Sequence, residues 1–396
     1  MNAKLHFSSV GMVKKQGKFW FAARETNGLF QMDLDGTNLQ YIGEFPGELV
    51  DQAYLYGKCV SYDGKLFFAP YNANKIAVYD TERKCFDDTF LGEPIYLKGY
   101  LVIAVWENYL FLLPEKKSNM SIVKVDLRSG RVTCNDSWKN KFCFIDQSEE
   151  LFREYCIVEN KLYAPVISTE GLILEYNMDS DQSTCIQLSE KQKFRSICYD
   201  GKDFYLCEQQ GNQIIRWNRE KGILEKKNIC TSPDITIGTC IYQNGSVYAM
   251  TNHKQNSELG DRIIRMDIET GEVCTVIQTK ESLNDNLPET LMLSHLFSTV
   301  SDDGENKIWA LNGGNGVLYE VATVENRVKE HVIEGVDIAT IYRQKFENHK
   351  TDRNNFFVEK PTLLRELLVF ITKEHDTTVE KQTTKDCGTK IWNDTK

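Results

Sequence analysis

The chain has 396 residues, 41% of them hydrophobic and 26% charged, with a net charge of −10. This is ordinary globular composition with ample material for a core, and the acidic balance disfavours a general affinity for nucleic acid or anionic membrane. No apolar run approaches the roughly 18–20 residues of a membrane helix, and the first residues lack the apolar stretch of a secretory leader, so a cytoplasmic protein is expected.

Taken in chain order, the predicted elements repeat a pair of strands seven times. GKFWFAA (17–23) precedes GLFQMDLDGTNL (28–39), and GKLFFAP (64–70) precedes KIAVYDTERKCF (75–86). ENYLFLLP (107–114) precedes SIVKVDLRSGRV (121–132), and NKLYAPV (160–166) precedes LILEYNMDSDQS (172–183). GKDFYLC (201–207) precedes QIIRWNREKGIL (213–224), GSVYAM (245–250) precedes RIIRMDIETGEV (262–273), and NKIWAL (306–311) precedes GVLYEVATVENR (316–327). The turn markers Lys18, Lys65, Asn108, Lys161, Lys202, Ser246 and Lys307 are separated by 47, 43, 53, 41, 44 and 61 residues.

A period of about 40–50 residues with several short strands reads as a β-propeller. A single four-stranded sheet cannot bury both faces alone, whereas radial stacking covers each with its neighbour. The expected fold is therefore all-β: seven four-stranded antiparallel blades over 1–345, with a tail over 346–396. Trp20, Phe67, Phe111, Tyr163, Tyr205, Tyr248 and Trp309 are expected to fill the wedges between blades. Asp33, Asp80, Asp126, Asn177, Asn218 and Asp267 end the third strand and are read as turn-makers, accepting backbone N–H bonds two residues on.

The pattern of turn, aromatic strand, loop and hydrophobic–hydrophobic–x–hydrophobic–Asp–x–Thr/Ser–Gly resembles bacterial seven-bladed propellers of the YVTN and kelch-like kind, over about residues 1–340. No Trp-Asp dipeptide ends a blade, so the WD40 pattern is absent, and the kelch double glycine occurs once, as Gly313-Gly314. SDDGENKIW (301–309) departs from a sialidase Asp-box by one place at Gly304 and one at Trp309. The resemblance implies a fold and assigns no activity.

In a propeller the second-to-third-strand loops and the segments leading into the first strands open on one face, around the central channel. Aligning first strands on Ser9, Cys59, Ala104, Cys156, Cys198, Cys240 and Ser298 places His6, Tyr56, Leu101, Arg153, Arg195, Ile237 and His295 three residues earlier, near the channel mouth. Arginine forks there suit a carboxylate or phosphate; the bland alternative pairs each arginine with an acid such as Glu149 or Glu154. The second-to-third-strand loops add Arg24, Tyr71, Asn72, Glu115, Glu208, Asn252, His253 and Asn312.

Three function classes follow, the last a purely structural partner scaffold acting through the tail. The first is a binding module holding an anionic small molecule, glycan or acidic peptide, with no cofactor. The second is a metal-assisted lyase or hydrolase, with His253 or His295 paired with a glutamate such as Glu208 and a divalent cation. No P-loop, HExxH or Ser-His-Asp order is present.

The remaining segments suggest contact surfaces. The loop 136–155 mixes aromatic and charged residues and reads as a lid or a protein-contact surface. VDIATIYR (336–343) is expected to take part in ring closure. Residues 361–375 read as an amphipathic helix, with Leu364, Leu367, Leu368 and Ile371 on one stripe, packed on the rim or docking a partner. GTKIW (388–392) resembles a blade turn. The twelve cysteines lie on apolar strands without zinc spacing and are expected to be reduced, mostly inaccessible small hydrophobes.

Overall fold

The structure, a computed structural model, describes residues 4–5, 8–49, 52–90, 97–116, 121–143, 145, 150–209, 211–229, 235–253, 261–279, 297–302, 304–313, 316–337, 340–341 and 344–345. His6–Gly335 forms one unit. Within it lie seven four-stranded sheets, each paired in simple chain order, so every blade is one continuous stretch of chain.

Blade 1 comprises Met12–Lys15, Lys18–Ala22, Leu29–Asp33 and Gln40–Gly43, and blade 2 Tyr56–Tyr62, Lys65–Pro70, Ala77–Asp80 and Cys85–Phe86. Blade 3 is Tyr100–Trp106, Tyr109–Pro114, Ile122–Asp126 and Val132–Asn135, and blade 4 Cys156–Val158, Lys161–Val166, Leu172–Asn177 and Gln182–Gln187. Blade 5 is Phe194–Tyr199, Phe204–Glu208, Gln213–Asn218 and Gly222–Asn228, and blade 6 Ile235–Gln243, Ser246–His253, Arg262–Asp267 and Val273–Gln278. Blade 7 is Phe297–Asp302, Lys307–Asn312, Val317–Ala322 and Arg327–Val332.

Why these segments form blades is visible in their burial. Second strands are buried nearly throughout, because both faces meet neighbouring blades; fourth strands such as Val132–Asn135 and Arg327–Val332 are largely open. Distinct apolar clusters fill the wedges, one joining blades 1 and 2, the next 2 and 3, and so on round to 6 and 7. The seven second-strand aromatics are all buried. Each contributes about 1.5–3 kcal/mol of burial free energy. Blade 7 closes on blade 1: Phe19 meets Trp309 edge-on at 5.5 Å, Lys14 pairs with Asp302 at 2.8 Å, and Ser298 Oγ donates to the Ser9 carbonyl.

The strand-end acids do make turns. Asp80 Oδ1 accepts from the N–H groups of Glu82 and Arg83 at 3.0 and 2.8 Å, and Asp126, Asn177, Asn218 and Asp267 repeat this arrangement. Asp33 differs: its carboxylate accepts from the Asn38 side chain at 2.6 Å.

Several details correct the sequence reading. Strand pairing sets Tyr109 opposite Asp126, and Asn218 hydrogen-bonds Asp203, so the equivalent markers in blades 3 and 5 are Tyr109 and Asp203 rather than Asn108 and Lys202. The small residues of the first strands do not share one register. Ala104, Cys156 and Cys198 face the aromatic of the second strand, but Cys59 faces Phe68, Cys240 faces Ala249 and Ser298 faces Leu311. Bulges interrupt the first strands of blades 2, 3, 5 and 6 alike, at Tyr56/Cys59, Tyr100/Val102, Phe194/Ser196 and Ile237/Thr239, ahead of the small residue in each.

The described residues of the 136–155 segment, read from sequence as a lid or a protein-contact surface, contribute to the core. Trp138, Phe142, Leu151 and Phe152 are buried in the wedge of blades 3 and 4, around a 3-10 turn at Lys139–Phe142. Among the described cysteines, Cys59, Cys198, Cys207 and Cys240 are buried and unpaired by disulfides, but Cys85, Cys134, Cys143 and Cys274 are exposed. Three of those four lie on outermost strands, where one sheet edge meets solvent.

In the second unit, Lys4–Leu5 pairs antiparallel with Val336–Asp337, as a two-stranded sheet separate from the seven blades. Residues 361–375 and 388–392 lie outside the described residues. No described helix is long and apolar enough to cross a membrane.

Candidate functional site

The mouth is built by backbone before any side chain enters it. In five blades, one residue of the second-to-third-strand loop donates its N–H to the segment leading into its own first strand. The pairs are Arg24 to Ser8, Tyr71 to Leu55, Glu115 to Gly99, Ile167 to Leu151 and Gln209 to Lys193, at 2.7–2.9 Å. The same loops accept from the next blade: Tyr54 donates to the Arg24 carbonyl at 2.7 Å, Gly99 to Tyr71 at 2.8 Å and Leu151 to Glu115 at 2.6 Å. A relay of main-chain hydrogen bonds thus runs around the mouth from blade 1 to blade 4.

The donating residue always stands six places beyond the second-strand residue that faces the strand-end position. Counting on in this way assigns Asn252 and Gly313 to blades 6 and 7. A Cβ on Gly313 would come within 2.2 Å of the Ser8 side chain, so close approach of the two segments requires glycine there.

Onto this frame blades 1 to 5 project one polar cluster. Glu115 Oε1 accepts from the Tyr71 hydroxyl at 2.9 Å and from Arg153 Nη2 at 3.1 Å. Arg153 also forks onto Glu150, at 2.7 and 3.2 Å. Arg24 hydrogen-bonds the Tyr54 hydroxyl and its guanidinium lies 4.2 Å from a Tyr54 ring centroid. Below them, Lys58 of blade 2 pairs with Glu154, just before blade 4, at 2.5 Å. Blades 2 and 4 are not neighbours, so this pair crosses the space in front of blade 3.

Electrostatics separates the arginines. Burial works against the charge on Arg153, but Glu150 and Glu115 overcome it and raise its pKa. Burial likewise opposes charge on Glu150, and there the Arg153 fork and the field of Arg195 hold the carboxyl below its usual range. Tyr71 is pushed up to about 12 by burial and by Glu115. Arg24 is pulled down by burial, with Tyr54 and Glu25 opposing. Arg195 stands apart. Burial and the neighbouring charge of Arg153 lower it to about 10, against Glu154 and Glu150. Its Nε is fully buried without a hydrogen-bond partner among the described residues, and no ion pair engages its guanidinium there.

The sequence candidates divide accordingly. Arg24, Tyr71, Glu115, Arg153 and Arg195 come together. Tyr56 lies instead in the wedge of blades 1 and 2, 2% exposed, with its ring 4.2 Å from Phe45. Asn312 is buried and donates to Asp261 at 2.9 Å. Asn72 joins the frame through its backbone, donating to the Leu55 carbonyl. Glu208 packs its carboxylate against Gly211, with its pKa raised by burial. His253 is placed by its backbone opposite Ile235, with its side chain outside the described residues; His6 and His295 lie wholly outside them. Sequence reading missed Glu150 and Tyr54, which lie in long connections without a repeat; the only signal was an acid three residues before Arg153. Among the described residues no three His, Cys, Asp or Glu side chains are grouped to hold a metal ion.

No family model and no curated protein matches the chain. Solved structures do. A streptogramin B lyase aligns with a TM-score of 0.56 at 15% identity, covering 79% of this chain and 93% of that one. The extracellular domain of BT4673 from B. thetaiotaomicron aligns with a TM-score of 0.56 at 15% identity, over 79% of this chain and 38% of that chain. The computationally designed Ika8 protein aligns with a TM-score of 0.55 at 10% identity, over 85% and 90%. At these identities the likeness is one of architecture, and the chain is a seven-bladed β-propeller.

Proposed function

We propose that the propeller is a binding module that seats an anionic group, the carboxylate or phosphate of a small molecule, glycan or acidic peptide, at the channel mouth. The observation that carries this reading is the guanidinium of Arg195, which makes no ion pair and leaves its buried Nε without a hydrogen-bond partner among the described residues, beside the committed guanidinium of Arg153. A half-buried cation pressed against a like charge is held at a cost, and an incoming anion lowers that cost while gaining charged hydrogen bonds. The lyase or hydrolase reading has no comparable support: its histidine side chains lie outside the described residues, and the likeness to streptogramin B lyase is one of fold.

Calorimetric titration with citrate, glucuronate and inorganic phosphate tests the proposal. At least one should bind, more weakly as salt rises. Arg195→Ala should cost about 1.5–3 kcal/mol of affinity, and Arg153→Ala should weaken binding by disordering the Glu115–Glu150 brace. Unchanged affinity in Arg195→Ala would refute it.

A further inference from the structure

Blade 5 directs three polar side chains at one thiol of blade 6. Ser196 and Cys198 are two residues apart on the first strand, and Cys207 stands opposite Ser196 on the second. All three side chains therefore leave the same face of the sheet. That face packs against the first strand of blade 6, where Cys240 lies. The Cys240 N–H donates to Ser196 Oγ at 2.7 Å, and the Ser196 hydroxyl lies 3.2 Å from Cys240 Sγ. The thiols of Cys198 and Cys207 pack in the same buried cluster as Cys240, on the face that carries Ser196. In its protonated form Cys240 in turn reaches the Tyr205 carbonyl at 3.8 Å.

The three thiols are not equivalent. Burial raises all of them, and Cys198 and Cys207 stay well above the usual thiol range. At Cys240 burial is overruled by the polar groups that face it, the thiols of Cys198 and Cys207 and the Ser196 hydroxyl, which hold it below that range. The thiolate is the reactive form. Access also differs: Cys240 and Cys198 keep 5% and 7% exposure, whereas Cys207 is at 0%.

We propose that Cys240 and Cys198 form an oxidative modification site, which a hydroperoxide converts into a disulfide joining the first strands of blades 5 and 6. The Cys240 sulfur attacks the peroxide; an S–O bond forms, the O–O bond breaks, and the departing hydroxide takes a proton to leave as water. The Cys198 sulfur then attacks the sulfenic sulfur; the S–S bond forms, the S–O bond breaks, and hydroxide leaves with the Cys198 proton. Two thiols lose two electrons, and one hydrogen peroxide becomes two waters.

The test treats the intact protein with hydrogen peroxide, then denatures, alkylates and maps its peptides without reduction. The expected product is a cross-linked Cys198–Cys240 peptide, lighter by two hydrogens than its parts and restored by dithiothreitol. Cys85, Cys134 and Cys274, exposed on outer strands, serve as internal comparison. Complete alkylation of Cys240 while those three oxidise would overturn the site, and a Cys207–Cys240 cross-link would overturn the partner. In Cys198→Ser, peroxide should leave a sulfenic acid on Cys240 that a cyclic 1,3-dione traps; absence of that adduct in a variant with wild-type circular dichroism also overturns it.

Discussion

Glu115 and Arg153 are joined at 3.1 Å across the boundary between blades 3 and 4, a loop carboxylate holding a guanidinium from the following connection. Because both are largely buried, with side-chain exposures of 9% and 17%, the pair is shielded from the screening that makes surface ion pairs weak. A double-mutant cycle with Glu115→Ala and Arg153→Ala should give a coupling energy of about 1–3 kcal/mol in urea unfolding. Strictly additive losses would show that the two contribute separately.

Arg195 carries the opposite expectation. Its half-buried guanidinium makes no ion pair among the described residues and lies beside the like charge of Arg153, so an apolar chain of similar length should stabilise the fold. Arg195→Met is expected to gain about 1–3 kcal/mol in denaturant unfolding. Adding a bound anion should narrow that gap by stabilising only the wild-type protein. A destabilised Arg195→Met would mean that the guanidinium is already satisfied.

Acid should act through the turn at Asp80. The N–H of Arg83 and the ammonium of Lys65, then the N–H of Glu82, hold its carboxyl at about 2. This lies below the ordinary value of 3.8, so the charged form favours folding. The contribution is complete above about pH 4 and disappears as pH falls through about 2. The urea midpoint of Asp80→Ala should therefore lag the wild-type midpoint at neutral pH and approach it in acid. A gap that stays constant down to pH 2 would exclude the charge as its source.

Gly57 marks where two first strands crowd near the axis. A Cβ there would lie 2.4 Å from the Leu101 carbonyl oxygen and 2.8 Å from its Cα. Gly57→Ala must push blade 3 away from blade 2 and should cost about 1–3 kcal/mol. Chemical denaturation measures it directly; a neutral substitution would show that the strands separate freely.

The architecture was legible because its signals are local and repeated. Each wedge aromatic, from Trp20 to Trp309, sits in the position its turn implied, and Asp80 or Asp267 binds the backbone beside it. The site was only partly legible, for a geometric reason. Arg24, Tyr71 and Glu115 each stand six places beyond the second-strand residue that faces the strand-end position, so counting reaches them. Positions counted along first strands fail because the small residue that aligns them does not stand at one distance from the hairpin turn: Cys198 faces Tyr205, whereas Cys240 faces Ala249 and Cys59 faces Phe68, and Tyr56 lies in the core. Glu150 and Tyr54 belong to connections of unequal length, where no period exists to count.

The peptide relay around the mouth has a consequence for how such a protein changes over time. Its bonds use only main-chain atoms, so the side chains at Arg24, Tyr71, Glu115, Ile167 and Gln209 are free to differ without disturbing the bonds that locate them. Scaffold and chemical address are thereby uncoupled. One ring geometry can be re-lettered for different ligands by substitution at these few places, while the wedges that fold it stay untouched.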